Sequence, residues 1–267
     1  MGGIAAISYN LFFFYNLPMI IFASGRTDIP AFYSEWFLNR VRAGFVDVRN
    51  PYASQKVTRY RLDPKTVDCI VFCTKNPAPL IPHLDELKDF GIYFFVTVTP
   101  YKKEIEPNVP EKSKVIESFA ELSQKIGKEK VCWRYDPIFV DSVYTVAAHI
   151  REFKKMCAVL SPYTSRCIVS FVDLYSKTKR NFPELKEVSE DDQKFIAGSF
   201  SRIAFEYGIE VESCAEKLDL SPYGVKRGAC VSKEIVEKAT NERLLKFGVQ
   251  NLRKHCECLP MRDIAYY

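Results

Sequence analysis

The sequence lacks the short motifs that hold nucleotides and zinc ions in many proteins. No Gly-x-Gly-x-x-Gly follows any apolar run and no P-loop is present, which argues against nucleotide binding of the Rossmann kind. Cys-x-x-Cys is also absent, so the nine cysteines fit no standard zinc spacing. Histidine is scarce: His83 and His149 lie in predicted helices away from strand ends, and we assign them no role.

Charge is missing from the start of the chain, where residues 1–25 contain no Asp, Glu, Lys or Arg. A signal peptide would carry a basic n-region, and Asn10, Asn16 and Pro18 would interrupt a membrane span. Met19 opens a predicted strand. We therefore expect Met19 to be the natural start, residues 1–18 to be an extension outside the fold, and residues 19–267 to form a single domain.

The composition that is present is that of an ordinary globular protein. A chain of 267 residues fits one α/β barrel, and the 47% hydrophobic fraction supplies a large core. The net charge of +5 suits an anionic substrate or nucleic acid, although a solvated surface gives the same excess. Most cysteines lie in apolar runs, as buried free thiols do in reducing compartments, so we expect a cytoplasmic protein without disulfides.

Apolar runs alternate with helical stretches along the chain. The pattern predicts strands over 19–24, 68–74, 92–99, 130–135, 167–173 and 209–214, and helices over 31–43, 79–89, 111–126, 143–160, 190–207 and 232–246. A β-hairpin over 45–62 interrupts the first unit. Continuously apolar strands are typical of parallel sheets, and the alternation predicts an α/β fold: a partial or complete, TIM-like (β/α) barrel.

Polar residues cluster where the predicted strands end, which is where parallel barrels carry their function. Arginine and lysine there suit anionic groups, carboxylates suit acid–base work, and Lys75 could form a Schiff base. Exposed ion pairs around the barrel rim would give the same pattern, and both interpretations stay open. The candidate catalytic residues are Arg26, Asp28, Lys75, Arg134, Asp136, Asp173 and Glu216.

Four cysteines late in the chain stand apart from those inside strands and helices. They are Cys214, Cys230, Cys256 and Cys258. Thiolates presented from loops ligate zinc or iron–sulfur clusters. Because their spacing matches no standard pattern, a metal site and an absence of metal both remain open from spacing alone.

The strand-end segments together resemble one family of unknown function, DUF1848. The matching stretches occur in order from residue 19 to residue 267: "MIIFASGRTDIPAFYSEWF", "VDCIVFCTKNPAPL", "TVTPYKKEIEPNVP", "WRYDPI", "CIVSFVDLYSKTKRN", "SCAEKLDLSPYGVKRGAC" and "CECLPMRDIAYY". The resemblance therefore covers nearly the whole chain and leaves residues 1–18 outside it.

The resemblance implies a radical S-adenosylmethionine protein whose Cys-x-x-x-Cys-x-x-Cys motif lies at the C-terminus, after a segment like "DIAYY". That motif would hold a [4Fe–4S] cluster with one iron open to the cofactor. This sequence stops at Tyr267 without the motif, so we expect a truncated chain or one that has lost it. S-adenosylmethionine is expected only where the motif is present.

The four late cysteines match cysteines of the family pattern. Our own inference is that they form a second site, for a [4Fe–4S] cluster or for zinc as the alternative metal.

Two other functions fit the residues. One is a cluster-independent barrel lyase or hydrolase that uses Lys75 or the strand-end carboxylates. The other is a nucleic-acid or anion-binding protein, with basic residues interleaved with aromatic ones. The segment in question contains Tyr175, Lys177, Lys179, Arg180 and Phe182.

Overall fold

The computed structural model describes residues 19–50, 52–241 and 258–265. The extension expected over residues 1–18 and the predicted metal ligand Cys256 both lie outside the described residues. No helix in the described ranges is long and apolar enough to cross a membrane.

Within the described residues, ten strands form two sheets. The strands are β1 (Ile20–Phe22), β2 (Phe45–Asn50), β3 (Ala53–Arg61), β4 (Cys69–Thr74), β5 (Gly91–Thr97), β6 (Val131–Ile138), β7 (Arg166–Phe171), β8 (Glu210–Cys214), β9 (Lys226–Gly228) and β10 (Met261–Asp263). Strands β2 and β3 pair as the predicted antiparallel hairpin. The other eight form one sheet in which every pairing is parallel.

The strand order of the large sheet is β10-β1-β4-β5-β6-β7-β8-β9. Apart from the β2–β3 hairpin, which intervenes between β1 and β4, each strand from β1 to β9 lies beside the next one in the chain, without the reversal that defines a doubly wound sheet. This is the order of a (β/α) barrel, so the prediction of a partial or complete barrel is confirmed. Within the described residues, β9 and β10 are the two edges.

In the part of the chain that the structure describes, seven α-helices accompany the strands: α1 (Ile29–Phe32), α2 (Ser34–Ala43), α3 (Lys112–Ile126), α4 (Val146–Leu160), α5 (Ser176–Asn181), α6 (Glu190–Glu206) and α7 (Lys233–Thr240). The stretch predicted as a helix over 79–89 is instead a 3-10 helix, Ile81–Leu87. Pro79 and Pro82 remove two backbone donors there and favour the shorter, tighter turn. The prediction over 232–246 is confirmed only as far as Thr240, and residues 242–246 lie outside the described ranges.

Alternation along the strands separates two hydrophobic clusters. On the outer face, Phe72 and Trp133 pack beneath the surrounding helices. On the inner face, Val71 and Cys132 pack with Ile235 of α7 and with Leu259. Helix α7 lies against β4 and β5 and packs on the inner face near the amino-terminal half of these two strands, so their polar side chains reach the interior at the carboxyl ends.

Candidate thiol-rich site at the carboxyl ends of the strands

Arg134, the fourth of the eight residues of β6, lies at the centre of the polar groups inside the barrel mouth. Its Nη1 donates to Cys73 Sγ at 3.0 Å, and its Nη2 donates to the carboxylate of Asp136. Asp136 also accepts a hydrogen bond from Ser170 Oγ at 3.0 Å. Arg134 Nε is buried and has no hydrogen-bond partner among the described residues. The structure thus joins two predicted residues, Arg134 and Asp136, and adds two that were not predicted.

The protein strongly stabilises the protonated, positively charged form of Arg134. Burial acts to lower its pKa, but Asp136 and the nearby thiols of Cys73, Cys230 and Cys214 outweigh burial and hold the pKa well above its usual value. A permanent cation therefore faces several sulfur atoms, which is the environment that stabilises thiolates.

Cys214 and Cys230 form a thiol pair beside this cation. Cys214 ends β8, and Cys230 lies in the turn between β9 and α7. The β8–β9 register sets Cys214 opposite Gly228, so Cys230 lies just beyond its partner position. The two Sγ atoms are 2.7 Å apart, with Cys230 as the donor. That hydrogen bond, opposed by burial and aided by Arg134, lowers the pKa of Cys214.

Cys258 supplies a third thiol at this place. It is buried, and its contact with Cys230, together with that of Cys214, raises the pKa of the Cys230 thiol. The segment carrying it is tied down by Leu259, whose N–H donates to the carbonyl of Val231 at 2.9 Å. Three of the four predicted metal ligands are thus neighbours, and the fourth lies outside the described residues.

The donor set suits a soft metal, but the described side chains are not arranged around one. Among them, no group of three or more His, Cys, Asp or Glu residues stands at positions that could hold a metal ion. What the structure brings into contact is one thiol pair with a third thiol beside it. Thiolate sulfur is the donor that zinc and iron–sulfur clusters prefer, so the chemistry of the residues fits either group.

Lys75 lies in a second cluster, built around a carboxylate that was not predicted. Its Nζ is 2.5 Å from Glu106 Oε1, which also accepts from Thr99 Oγ1 at 2.8 Å. Lys112 Nζ approaches Glu106 Oε2 at 3.4 Å. Burial acts to raise the pKa of Glu106, but the two lysines outweigh it and lower that pKa. Glu106 lies in the loop after β5, where no strand or helix period marks it.

Asp28 connects the β1 loop to β4 through its backbone contacts. Its Oδ2 accepts from Lys75 N at 2.7 Å, and its Oδ1 caps α1 by accepting from Ala31 N at 3.0 Å. Burial raises its pKa, and these hydrogen bonds partly offset the rise. Asp28 therefore fixes the start of α1 against the residue that follows β4.

Glu216 and Asp173 stand on the other side of the mouth. Glu216 Oε1 accepts from the N–H of Phe171 at 2.9 Å, and burial raises the pKa of Glu216 to about 7. Ala215, which precedes it, has a φ of 55°, a left-handed conformation that non-glycine residues seldom adopt away from functional sites. Asp173 is exposed and accepts from Tyr175 OH at 2.9 Å.

Arg26 belongs to the β1–β10 edge of the sheet. Its charge acts on Asp263, whose pKa is raised by burial, a rise that the N–H of Ala265 and the charge of Arg26 offset only in part. The Asp263 carboxylate also packs directly against Gly25, where a Cβ would lie 2.1 Å from Asp263 Oδ2. The seven predicted residues thus fall into four groups around one rim: Arg134 with Asp136, Lys75 with Asp28, Glu216 with Asp173, and Arg26 at the sheet edge.

The opposite end of the barrel carries a cavity with a different character. It has a volume of about 280 Å³ and is lined by residues at the amino-terminal ends of the strands, including Arg166, Glu212 and Tyr93. Arg166 pairs with Glu212 through two hydrogen bonds, of 2.8 and 2.5 Å. At that end of a parallel barrel such pairs serve stability, and we assign the cavity no chemistry.

Cys73 corrects a sequence-based prediction. The cysteines inside strands and helices were expected to be core residues, and Cys69, Cys132, Cys157 and Cys167 are fully buried. Cys73, near the end of β4, is only partly buried and accepts from Arg134. Its side chain points to the inner face at the level of the mouth, which strand alternation from Cys69 would have shown.

Comparison with known proteins gives a family and a distant structural likeness. A family model described as "Domain of unknown function (DUF1848)" matches residues 20–267. None of the curated proteins matches the chain. One similar solved structure is described as that of a "putative alpha-L-fucosidase" from Bacteroides thetaiotaomicron VPI-5482. It is 10% identical, with 84% of this chain and 83% of that chain covered, at a TM-score of 0.31.

Proposed function

The chain belongs to the DUF1848 family, and we propose that it is the barrel scaffold of a radical-SAM-like iron–sulfur enzyme with a metal–thiolate site at its mouth. The proposed ligands are Cys214, Cys230, Cys256 and Cys258. The observation that carries the proposal is the 2.7 Å contact between Cys214 and Cys230, beside Cys258 and under the charge of Arg134.

The arrangement supports metal binding for an electrostatic reason. Several thiolates held together repel one another, and a buried cluster of negative charge is costly unless it is balanced. Arg134 supplies a permanent positive charge there, itself held by Asp136. A metal ion or cluster would supply the remaining positive charge and would hold apart two sulfur atoms that are now in contact.

The cofactor of the radical-SAM chemistry is a separate question from this thiol site. A [4Fe–4S] cluster with S-adenosylmethionine supplies one-electron radical chemistry, for which the protein contributes binding, orientation and exclusion of water. It needs a Cys-x-x-x-Cys-x-x-Cys motif, and this sequence contains none, so no residue here is assigned to hold it. Strand β10 is parallel to β1 and is therefore directed toward the mouth, where such a motif would be expected.

The remaining rim residues suit the handling of an anionic substrate. Arg26 and Lys75 bring positive charge to the rim, and Glu216, with a pKa of about 7, can hold or release a proton near neutral pH. Lys75 is paired with Glu106, so as a nucleophile it would first have to leave that carboxylate. This contact weighs against the Schiff-base alternative relative to the metal site.

Anaerobic reconstitution tests the proposal. The reduced protein is incubated with iron and sulfide, and separately with zinc, and bound metal is counted after desalting. Iron–sulfur charge-transfer absorbance and the electron spin resonance of the reduced sample identify a cluster. We expect wild type to retain metal, the double variant C214A/C230A to lose it, and Cys157→Ala to retain it, because Cys157 is buried in α4 away from the mouth. Equal metal content in wild type and the double variant would sink the proposal.

Anion binding has one specific observation in its favour. Helix α5 and the residues flanking it, which contain the basic segment, lie exposed at the mouth, with Tyr175 57% and Phe182 42% exposed. A salt-sensitive affinity for single-stranded nucleic acid, lost in K177A/K179A/R180A, would favour this second candidate. An absent or salt-insensitive affinity would dismiss it.

A further inference from the structure

We propose that Cys214 and Cys230 form a redox-active dithiol that exchanges with small disulfides of the glutathione class. The inference uses two of the thiols of the proposed metal site, but it depends on the contact between them and not on a metal. It assigns this pair a chemistry that the metal-free protein can perform.

The geometry needs little change to form the bond. The two Sγ atoms are 2.7 Å apart, so they must approach by only about 0.7 Å to reach disulfide bonding distance. Cys214 is held in the β8–β9 ladder by its pairing with Gly228, and Cys230 follows Gly228 by two residues. The short approach of the two sulfur atoms is therefore compatible with the register of these strands.

Access separates this pair from most other thiols of the chain. Cys214 and Cys230 are both partly buried, whereas Cys69, Cys132, Cys157 and Cys167 are fully buried in the two hydrophobic clusters. A small disulfide approaching the mouth meets the pair, and it cannot reach the fully buried thiols without unfolding. Arg134 adds a positive charge that stabilises a sulfur anion during exchange.

The exchange balances in two steps. The sulfur of one thiol, as thiolate, attacks the oxidant RSSR, forms a mixed disulfide and releases RS⁻. The second thiol then attacks the protein sulfur of the mixed disulfide, which forms the Cys214–Cys230 bond and releases the second RS⁻. The dithiol loses two electrons and two protons, and the oxidant becomes two RSH.

The buried thiol of Cys258 offers Cys230 an alternative disulfide partner, so the identity of the crosslink is itself a test. Cys258 lies beside Cys230 but is buried, so a pairing between Cys230 and Cys258 is the competing product. The observed contact favours Cys214 over Cys258 as the partner of Cys230. A peptide map of the oxidised protein distinguishes the two products.

The test uses the full chain, treated with a chelator and then with excess oxidised glutathione. Free thiols are blocked, and the protein is analysed by intact mass and by peptide mapping. We expect a loss of about 2 Da, from the two hydrogens, and a single crosslinked peptide pair containing Cys214 and Cys230. Cys157→Ala is the control and should behave as wild type.

A single-cysteine variant tests the first step of the exchange separately from formation of the crosslink. Cys230→Ala removes the second thiol, so a stable mixed disulfide with glutathione should accumulate on Cys214 and should be absent from wild type. Circular dichroism checks that each variant is folded. No crosslink in folded wild type, or a crosslink between Cys230 and Cys258, would overturn the inference.

The outcomes separate this inference from the proposed metal site. If the protein forms the crosslink but takes up no iron or zinc when reduced, the dithiol inference stands and the metal-site proposal fails. If the protein binds metal when reduced but does not form the crosslink when metal-free, the metal-site proposal stands and the dithiol inference fails.

Discussion

Arg134 and Cys73, on strands β6 and β4, are joined across the barrel interior by a hydrogen bond of 3.0 Å from Nη1 to Sγ. The same guanidinium forms an ion pair with Asp136, to which its Nη2 donates a hydrogen bond. One side chain therefore connects the sulfur and carboxylate groups of the mouth, and its removal should affect both.

Replacing Arg134 by Gln should destabilise the protein by about 3 kcal/mol, because breaking a largely buried ion pair leaves an uncompensated charge on Asp136. Urea unfolding measures the change. Arg59→Gln is the matched control: its pair with Asp47 is exposed, and its loss should cost less than about 1 kcal/mol. Equal losses in the two variants would contradict the central role of Arg134.

Glu106 should make the protein sensitive to acid. Its folded-state pKa lies below the ordinary value, so its ionised form stabilises the fold fully above that ordinary pKa, and this stability is lost as the pH falls through the lowered value. In Glu106→Gln, the urea midpoint should therefore fall less steeply between about pH 5 and pH 3 than in wild type. Glu121→Gln, on the exposed face of α3, should keep the wild-type slope.

His149 should produce a second pH dependence, nearer to neutrality. It is fully buried, with Nδ1 2.8 Å from Tyr135 OH and Nε2 2.7 Å from the carbonyl of Phe139. Burial lowers its pKa, so the stability that its neutral form contributes is complete above about pH 6.5 and falls as the pH drops below it.

Unfolding between pH 7 and pH 5 should therefore show a stability loss in wild type that His149→Gln reduces. His83→Gln serves as the control, since the His83 side chain is 47% exposed and lies 3.4 Å from Glu86 Oε1 at the surface. A slope that is unchanged by His149→Gln would count against this assignment.

Gly25→Ala should loosen the C-terminal strand. A Cβ at Gly25 would lie 2.1 Å from Asp263 Oδ2, so β10 would have to shift from β1. We expect a loss of about 1–3 kcal/mol and faster proteolysis near residue 260. Gly198→Ala is the control, because its new Cβ would meet nothing closer than 3.9 Å and a helical alanine is favoured over glycine.

Much of the sheet could be predicted from the sequence because its strands are buried on both faces. The run "CIVFCT" at β4 and the run "GIYFFVT" at β5 are apolar throughout, and no helix of that length fits between the turns that flank them. Strands β9 and β10 were missed because their three residues, "KRG" and "MRD", contain no apolar run of the kind that marks the equally short β1.

Only those residues of the candidate site that lie within a strand could be predicted from the alternation of side chains. Arg134 and Asp136 follow from alternation along β6, and Cys214 follows from β8. Glu106 and Ser170 did not, since Glu106 lies in an irregular loop and serine at a strand end carries no distinguishing signal. The approach of Cys230 to Cys214 depends on the β8–β9 register, which no local pattern specifies.

The parallel pairing of β10 with β1 has a consequence for the third thiol. Cys258 stays beside Cys230 because the short segment that carries it is fastened twice, once by the β10 ladder and once by the hydrogen bond from Leu259 to Val231. A ligand or a chain that displaced β10 from its place beside β1 would release this segment. Two neighbouring thiols would then remain in place of three, so the pairing at this edge of the sheet determines how many thiols lie together at the mouth.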